Sequence, residues 1–217
     1  MLINLRNAMM SGKRLPYDAE VEWVMGNTKA YIDVGVKGAS DISIYLKVIA
    51  ATTGNAIPLG VGRDGSYPRI ICFMHWLCSD FYSSNRSGGR AYRSEPRISI
   101  GDTAEFWGNR SYREIKVNGV SVAYNNSSVT QDFTTTGNIN IFRSPNQTSV
   151  DGGNGDVKFV AAQIYKSDIC IRDFRPVRVG DAGAIYDRAN PDGGPLGNGL
   201  YLSATSTPLT SGPDKNA

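Results

Sequence analysis

Apolar residues recur at every second position over much of the chain, which is the period of a half-buried strand. Ile42, Ile44, Leu46 and Val48 alternate with Ser43, Tyr45 and Lys47. Ile98 and Ile100 alternate with Arg97 and Ser99, and Ile139 and Ile141 mark another strand. Ile115 and Val117 lead into Asn118-Gly119, and Val120 and Val122 resume the alternation beyond it. An Asn-Gly pair between two alternating segments predicts a hairpin, because a type I′ turn needs positive φ at both central positions. Val157 to Ile164 differs. Val157, Phe159 and Ala161 fall on one face and Val160, Ala162 and Ile164 on the other. A strand apolar on both faces belongs at the centre of a sheet, covered on both sides. Lys166-Ser167-Asp168 then predicts a turn, with Ile169 to Phe174 pairing back.

No segment carries a sustained helical stripe. The one candidate is Met1 to Met10, where Leu2, Leu5 and Met9 could share a face, and it is short and without a clear cap. Between the strands lie polar, Gly-rich connections at Ser79 to Ser94, Asn125 to Ser128, Ser144 to Asp156 and Asn190 to Asn198. The first and third are long for a compact domain, the kind of loop that is functional or mobile. Nothing reads as an interdomain linker or an internal repeat. The organisation is an N-terminal arm, residues 1–16, followed by one β-sandwich, residues 17–217.

Composition fits that reading. An apolar share of 41% supports a sizeable core, and a charged share of 20% is too low for a disordered chain. The net charge of +3 is mild, and the short basic clusters are Lys13-Arg14 and the spaced Arg86, Arg90, Arg93 and Arg97. A solvated surface accounts for these charges better than a nucleic-acid face, which concentrates them. Three cysteines, Cys72, Cys78 and Cys170, do not make a disulfide framework. Cys72 and Cys78 lie at even spacing in one apolar run and read as small core residues on a shared face. With His75 as the sole histidine, the Cys and His spacing fits no zinc pattern. No apolar run approaches a membrane span, and the N-terminus lacks the layout of a secretory signal. The expectation is synthesis in the cytoplasm, with any exit by a route such as lysis.

Two segments carry a family likeness. The first is Tyr17-Asp-Ala-Glu-Val-Glu-Trp-Val24 followed by Ala30-Tyr-Ile-Asp-Val-Gly-Val36. The second runs from Val157-Lys-Phe-Val-Ala-Ala-Gln-Ile-Tyr165 through Ile171-Arg-Asp-Phe-Arg-Pro-Val177 to Gly183-Ala-Ile-Tyr-Asp187, with a tail at Gly212-Pro-Asp-Lys-Asn216. In order and spacing they resemble the concanavalin A-like/laminin-G-like jelly-roll modules of gut bacteriophages and prophages. Those modules open on a "YIDTG" strand and close through "KIYD", "RDFIP" and "G-x-YD" steps. The resemblance implies an all-β fold of two antiparallel sheets stacked about 10 Å apart. First and last strands would then pair, with Tyr31, Ile32 and Val34 placed against Ile185 and Leu200. Arg175 departs from the pattern, standing where the family usually has an apolar residue, and residues 190–199 are richer in Pro and Gly than the family's closing turn.

This fold hosts lectins, hydrolases, adhesion modules and spacers, so function rests on the site. Sugar recognition in the fold class uses aromatics that stack on pyranose rings beside polar groups that bond hydroxyls. Trp107, Asn109, Arg110 and Tyr112 have that composition in a turn, and Tyr92, in the long Arg-rich loop, is a further candidate. Asp18, Glu20 and Glu22 show the two-residue spacing of glucanase carboxylates. They occupy the opening strand, however, where charge is ordinary protection of a sheet edge. His75 has no Ser or Cys motif placed to complete a triad. Asp151-Gly-Gly-Asn-Gly-Asp156 could offer oxygen ligands to calcium but lacks the twelve-residue loop pattern and reads first as a polar turn. Leu2, Ile3, Leu5, Met9 and Met10 would make the arm an attachment segment that orders on assembly.

The resulting expectation is a non-enzymatic bacteriophage virion protein, as a capsid decoration, head-fibre or tail-fibre component presenting a lectin-like sandwich. Its partners would be other virion proteins, copies of itself in a homo-oligomer, and host surface glycans. Nucleic acid, membrane, metal and cofactor are not expected. The alternatives are a bacterial or prophage-encoded carbohydrate-binding module outside the virion and, third, a glucanase-like glycoside hydrolase.

Overall fold

A computed structural model describes residues 15–26, 30–52, 54, 56–62, 68–74, 77–84, 87–93, 98–142 and 157–215, and among them there is no helix. The strands begin with β1 (Ala19–Glu20), β2 (Val24–Met25), β3 (Ile32–Ala39), β4 (Ile42–Ala50), β5 (Leu59–Val61) and β6 (Arg69–Phe73). They continue with β7 (Cys78–Ser84), β8 (Ser87–Tyr92), β9 (Thr103–Gly108), β10 (Arg113–Val117), β11 (Val120–Asn125) and β12 (Thr134–Ile141). The last are β13 (Val157–Lys166), β14 (Ile169–Val179), β15 (Ala182–Asp187), β16 (Leu200–Tyr201) and β17 (Thr210–Ser211).

These strands build two antiparallel sheets, the jelly-roll sandwich expected. The larger has eleven strands, in the order β11-β10-β9-β4-β13-β14-β15-β16, with β1 on β14 and β2 joining β13 to β17. The smaller has six, in the order β3-β12-β5-β6-β7-β8. The facing sides carry one apolar cluster that includes Ile44, Leu46, Val48, Phe106, Phe159, Ala162 and Ile164 from one sheet and Leu59, Val61, Ile70, Ile139 and Ile141 from the other. Full burial of each large aliphatic or aromatic side chain contributes about 1.5–3 kcal/mol. β4 shows the alternation read from its sequence, with Ile44, Leu46 and Val48 buried and Tyr45 and Lys47 turned outward. β13 lies between β4 and β14, the central place expected, but it is not covered on both sides: a bulge between Phe159 and Ala161 brings Phe159, Ala162 and Ile164 all to the core and leaves Gln163 and Tyr165 on the outward face.

Both predicted turns form. Asn118 and Gly119 have φ of 49° and 82° between β10 and β11, and Ser167 and Asp168 have φ of 47° and 66° between β13 and β14. The second turn uses two residues that carry a Cβ in the left-handed region, held by the pairing of Tyr165 with Cys170 and Lys166 with Ile169.

Several expectations are corrected. Ile98 and Ile100 lie on no strand; residues 98–100 lead into a turn, with Ile98 buried and Ile100 exposed. The stretch after Ser79 is not a long loop, because β7 and β8 pair across it as a hairpin. Its Ser and Gly residues have little strand propensity, and the tertiary pairing overrides that preference. Cys72 and Cys78 are buried but do not share a strand, since the chain turns through Met74 and Leu77, the latter at φ 40°. Chain closure does not use β3, which pairs with β12 in the smaller sheet. It runs instead through Ala19 and Glu20 on β14, Val24 and Met25 on β17, and a bridge from Val21 to Asp214. Finally, the basic residues are not all solvated: Arg113 is wholly buried and Arg69 nearly so. The attachment arm through Arg14, with Leu2, Ile3, Leu5, Met9 and Met10, lies outside the described residues, as do His75 and the oxygen-rich loop at 151–156.

Candidate functional site

The outward face of the larger sheet gathers side chains that lie far apart in sequence. Antiparallel register places Tyr124 opposite Glu114, Glu114 opposite Trp107, Trp107 opposite Tyr45, Tyr45 opposite Gln163, and Gln163 opposite Asp173. These six residues form one row across β11, β10, β9, β4, β13 and β14. At ordinary strand spacing the row spans roughly 24 Å. A second row beside it carries Lys116, Glu105 and Lys47 in register. Tyr45, Glu105, Trp107, Glu114 and Lys116 line an open depression of about 190 Å³.

Most of the polar groups in the rows have a defined partner. Lys47 pairs with Glu105 at 3.1 Å and Lys116 with Glu114 at 3.6 Å. The Tyr45 hydroxyl bonds Glu105, and burial, followed by the nearby Glu105 carboxylate, pushes its pKa up to about 12. The Tyr112 hydroxyl bonds Glu114, and its pKa is raised by burial first and then by that carboxylate. Tyr165 donates its hydroxyl to Gln163 Oε1 at 2.9 Å, and Gln163 Nε2 donates to Asp173 Oδ1 at 3.3 Å. The rings of Trp107 and Tyr165 meet edge to face, with centroids 5.9 Å apart. Five aromatics, Tyr45, Trp107, Tyr112, Tyr124 and Tyr165, thus share one sheet face with carboxylates, ammonium groups and an amide. Tyr124, on the edge strand, is 70% exposed.

The β14 end of the row is a buried charge cluster. Asp173 accepts from Arg188 Nε at 3.0 Å and Nη2 at 2.8 Å, and pairs with Arg175 Nη2 at 3.1 Å. Its backbone N–H donates to Asp187 Oδ1 at 2.9 Å, so the wholly buried Asp187 fixes β14 from beneath. Asp187 also accepts from the N–H groups of Ala189 and Asn190 and lies 3.5 Å from Arg172 Nε. Burial raises its pKa, against the opposing pull of these bonds and of Arg172.

The sequence-predicted residues divide. Trp107 lies on β9 itself rather than in a turn, and Tyr112 lies beside Glu114, so both belong to this face. Asn109 and Arg110 form the turn between β9 and β10. Asn109 Oδ1 accepts from the N–H groups of Ser111 and Tyr112, while Arg110 holds Asp132 at 2.8 Å and the Val129 carbonyl. Their polar atoms thus shape the loop. Tyr92, half exposed beneath Arg90 at the end of β8, lies on the smaller sheet, apart from the others. Asp18 accepts from the Gly180 N–H, and Glu20 bonds Tyr17 on the opening strand. Sequence reasoning missed Tyr45, Glu105, Glu114, Lys116, Gln163, Tyr165 and Asp173. Alternation marked Tyr45 and Lys47 as outward, but which strands would lie beside β4 was not written there. Among the described residues, no cluster of three or more His, Cys, Asp or Glu side chains could hold a metal ion.

The fold and this face define an all-β jelly-roll sandwich with an aromatic and charged sheet surface. No protein-family model and no curated protein matches the sequence. Similarity to solved structures is found at the level of fold. A protein of Bacteroides ovatus, provisionally assigned as carbohydrate-binding, superposes with a TM-score of 0.55 at 11% identity. The match covers 89% of this chain and 60% of that one, so this chain spans less than two thirds of its length. A heptameric SAP-like pentraxin from Limulus polyphemus gives a TM-score of 0.54 at 7% identity, covering 90% of this chain and 98% of that one.

Proposed function

We propose that this chain is a non-enzymatic carbohydrate-binding protein that holds an extended saccharide on the outward face of the larger sheet. The observation that carries this reading is the row Tyr124–Glu114–Trp107–Tyr45–Gln163–Asp173. Aromatic rings present an electron-rich face to the C–H bonds of a pyranose ring. The partly exposed Glu105 and Glu114 carboxylates and Lys47 and Lys116 ammonium groups beside them are acceptors and donors at the spacing of strands, suited to hydroxyls along a chain of sugars. The extension of stacking and hydrogen-bonding groups along one line favours a linear ligand over a compact one. Carbohydrate binding by the Bacteroides ovatus protein, as provisionally assigned, is consistent with this reading.

The test is binding to a broad panel of oligosaccharides by calorimetry, with Trp107→Ala as the decisive variant. Loss of a central aromatic anchor is expected to weaken affinity about tenfold or more. No binding on the whole panel, or undiminished binding by a folded Trp107→Ala protein, would sink the proposal. The non-enzymatic part is checked by reducing-sugar release. Glu105 and Glu114 are the carboxylates flanking Trp107, and sustained release lost in Glu114→Gln would replace this reading with a hydrolase.

The virion setting rests on the ordered sequence motifs. In it the sandwich is displayed on a bacteriophage particle and meets glycans of the host surface. Mass spectrometry of purified particles is expected to find the chain at fixed stoichiometry. Its absence from particles would leave a carbohydrate-binding module outside the virion.

A further inference from the structure

We infer that the saccharide is an acidic one and that Arg175 receives its carboxylate or sulfate, an inference that rests on the binding face proposed above. The charges of that face are paired unevenly. Lys47 has Glu105 and Lys116 has Glu114, one cation to one anion. The buried Asp187 has Arg172. Asp173 alone is shared by two guanidinium groups, those of Arg175 and Arg188, at the β14 end of the row.

The two arginines are not equivalent. Arg188 directs Nε and Nη2 onto a single oxygen of Asp173 and serves as the clamp that holds this carboxylate. Arg175 touches Asp173 through Nη2 only, and Asp173 is its ion-pair partner among the described residues. A guanidinium has five N–H donors, and the ion pair with Asp173 is made through one of its nitrogens. The Arg175 side chain is 22% exposed, which keeps it in reach of solvent yet restrained by its neighbours. Its charge is felt at Tyr45, Tyr165 and Cys170, which places the guanidinium among the central aromatics of the face and not at its rim. A planar guanidinium fork suits a planar carboxylate, or two oxygens of a sulfate, on a sugar whose ring stacks on the aromatics. Arg175 is also the residue that departs from the apolar pattern of the related motif, so this feature belongs to this chain's own surface.

The experiment compares polygalacturonate and alginate oligosaccharides with the same oligosaccharides after reduction of their carboxyl groups, and chondroitin sulfate oligosaccharides with their desulfated forms. Wild-type protein is expected to bind at least one acidic form about tenfold more tightly than its neutral counterpart, the scale of a charge-assisted hydrogen-bonded pair. Arg175→Gln is expected to remove that preference, bringing the acidic form to about the affinity of its neutral counterpart, and Arg175→Lys to retain part of it. The carboxylate and sulfate arms show which anion is taken. Equal affinity for acidic and neutral forms in the wild type overturns the inference and leaves the carbohydrate-binding reading intact. A preference that persists in Arg175→Gln also overturns it. Absence of binding to every saccharide overturns both. Thermal unfolding of each variant shows that it is folded, and Arg175→Lys decides the matter if the glutamine variant is not.

Discussion

Gly89 and Arg113 give the most direct check on how the sandwich is assembled. Arg113 begins β10 and is wholly buried, and its guanidinium lies over the bare backbone of Gly89 on β8, across the sandwich. A Cβ at position 89 would stand 1.4 Å from Nη2 and 1.9 Å from Cζ of Arg113, so the guanidinium would have to leave. It now donates to the carbonyls of Asn109 at 3.1 Å and Arg110 at 3.0 Å, to Asn125 Oδ1 at 2.9 Å, and to the carbonyl of Ser127. Tearing a buried charge from its partners costs about 3–5 kcal/mol. Gly89→Ala is therefore expected to lose about that much, a large share of the 5–15 kcal/mol typical of a domain. Urea unfolding followed by tryptophan fluorescence reads the loss. Arg113→Leu ends short of the space that the methyl needs. In that background Gly89→Ala should cost less than it does alone, with a coupling energy of about 1–3 kcal/mol. A Gly89→Ala protein within about 1 kcal/mol of the parent, or strictly additive costs, would refute the packing argument. Because Arg113 ties down the loops beside Tyr112 and Tyr124, Gly89→Ala should also weaken saccharide binding.

Further outcomes follow from the same geometry. Tyr17 and Tyr45 titrate near 12 in the folded protein, through burial and then Glu20 and Glu105 respectively, against about 10 when unfolded. Between these values the unfolded chain releases protons that the native state keeps, so stability should fall as pH rises from about 10 to about 12. Urea midpoints measured across that range check this, and Tyr45→Phe should flatten the decline. Asp168 sits at φ 66° in a two-residue turn, so Asp168→Gly is expected to raise stability by about 0.5–1 kcal/mol. A lowered melting temperature would contradict that. Asp187→Ala removes the acceptor of three backbone N–H groups beneath the site and is expected to cost about 3 kcal/mol or more, read as a shifted denaturant midpoint.

Much of the fold was legible in the order of residues because strand alternation and turn chemistry are local. The side chains of Ile44, Leu46 and Val48 face one way and those of Tyr45 and Lys47 the other whatever lies next to them, since successive side chains of a strand point to opposite faces. Asn118-Gly119 specified its turn by the φ values it accommodates, and the apolar run of β13 specified a central strand before its neighbours were known. Ser79 to Tyr92 misled for the converse reason. Nothing in its Ser, Gly and Arg residues favours a strand, and pairing with β6 supplies what propensity does not. The binding face shows the same division. Trp107 and Tyr112 could be picked out by residue type, but the row from Tyr124 to Asp173 joins residues from six strands, and its members meet only through register. Register is set by which strands pair and by the bulges between Ile115 and Lys116 and between Phe159 and Ala161, which reset it. Burial of Arg113 was likewise decided by a glycine 24 positions away in sequence and across the core, a coincidence of two sheets that no local pattern contains.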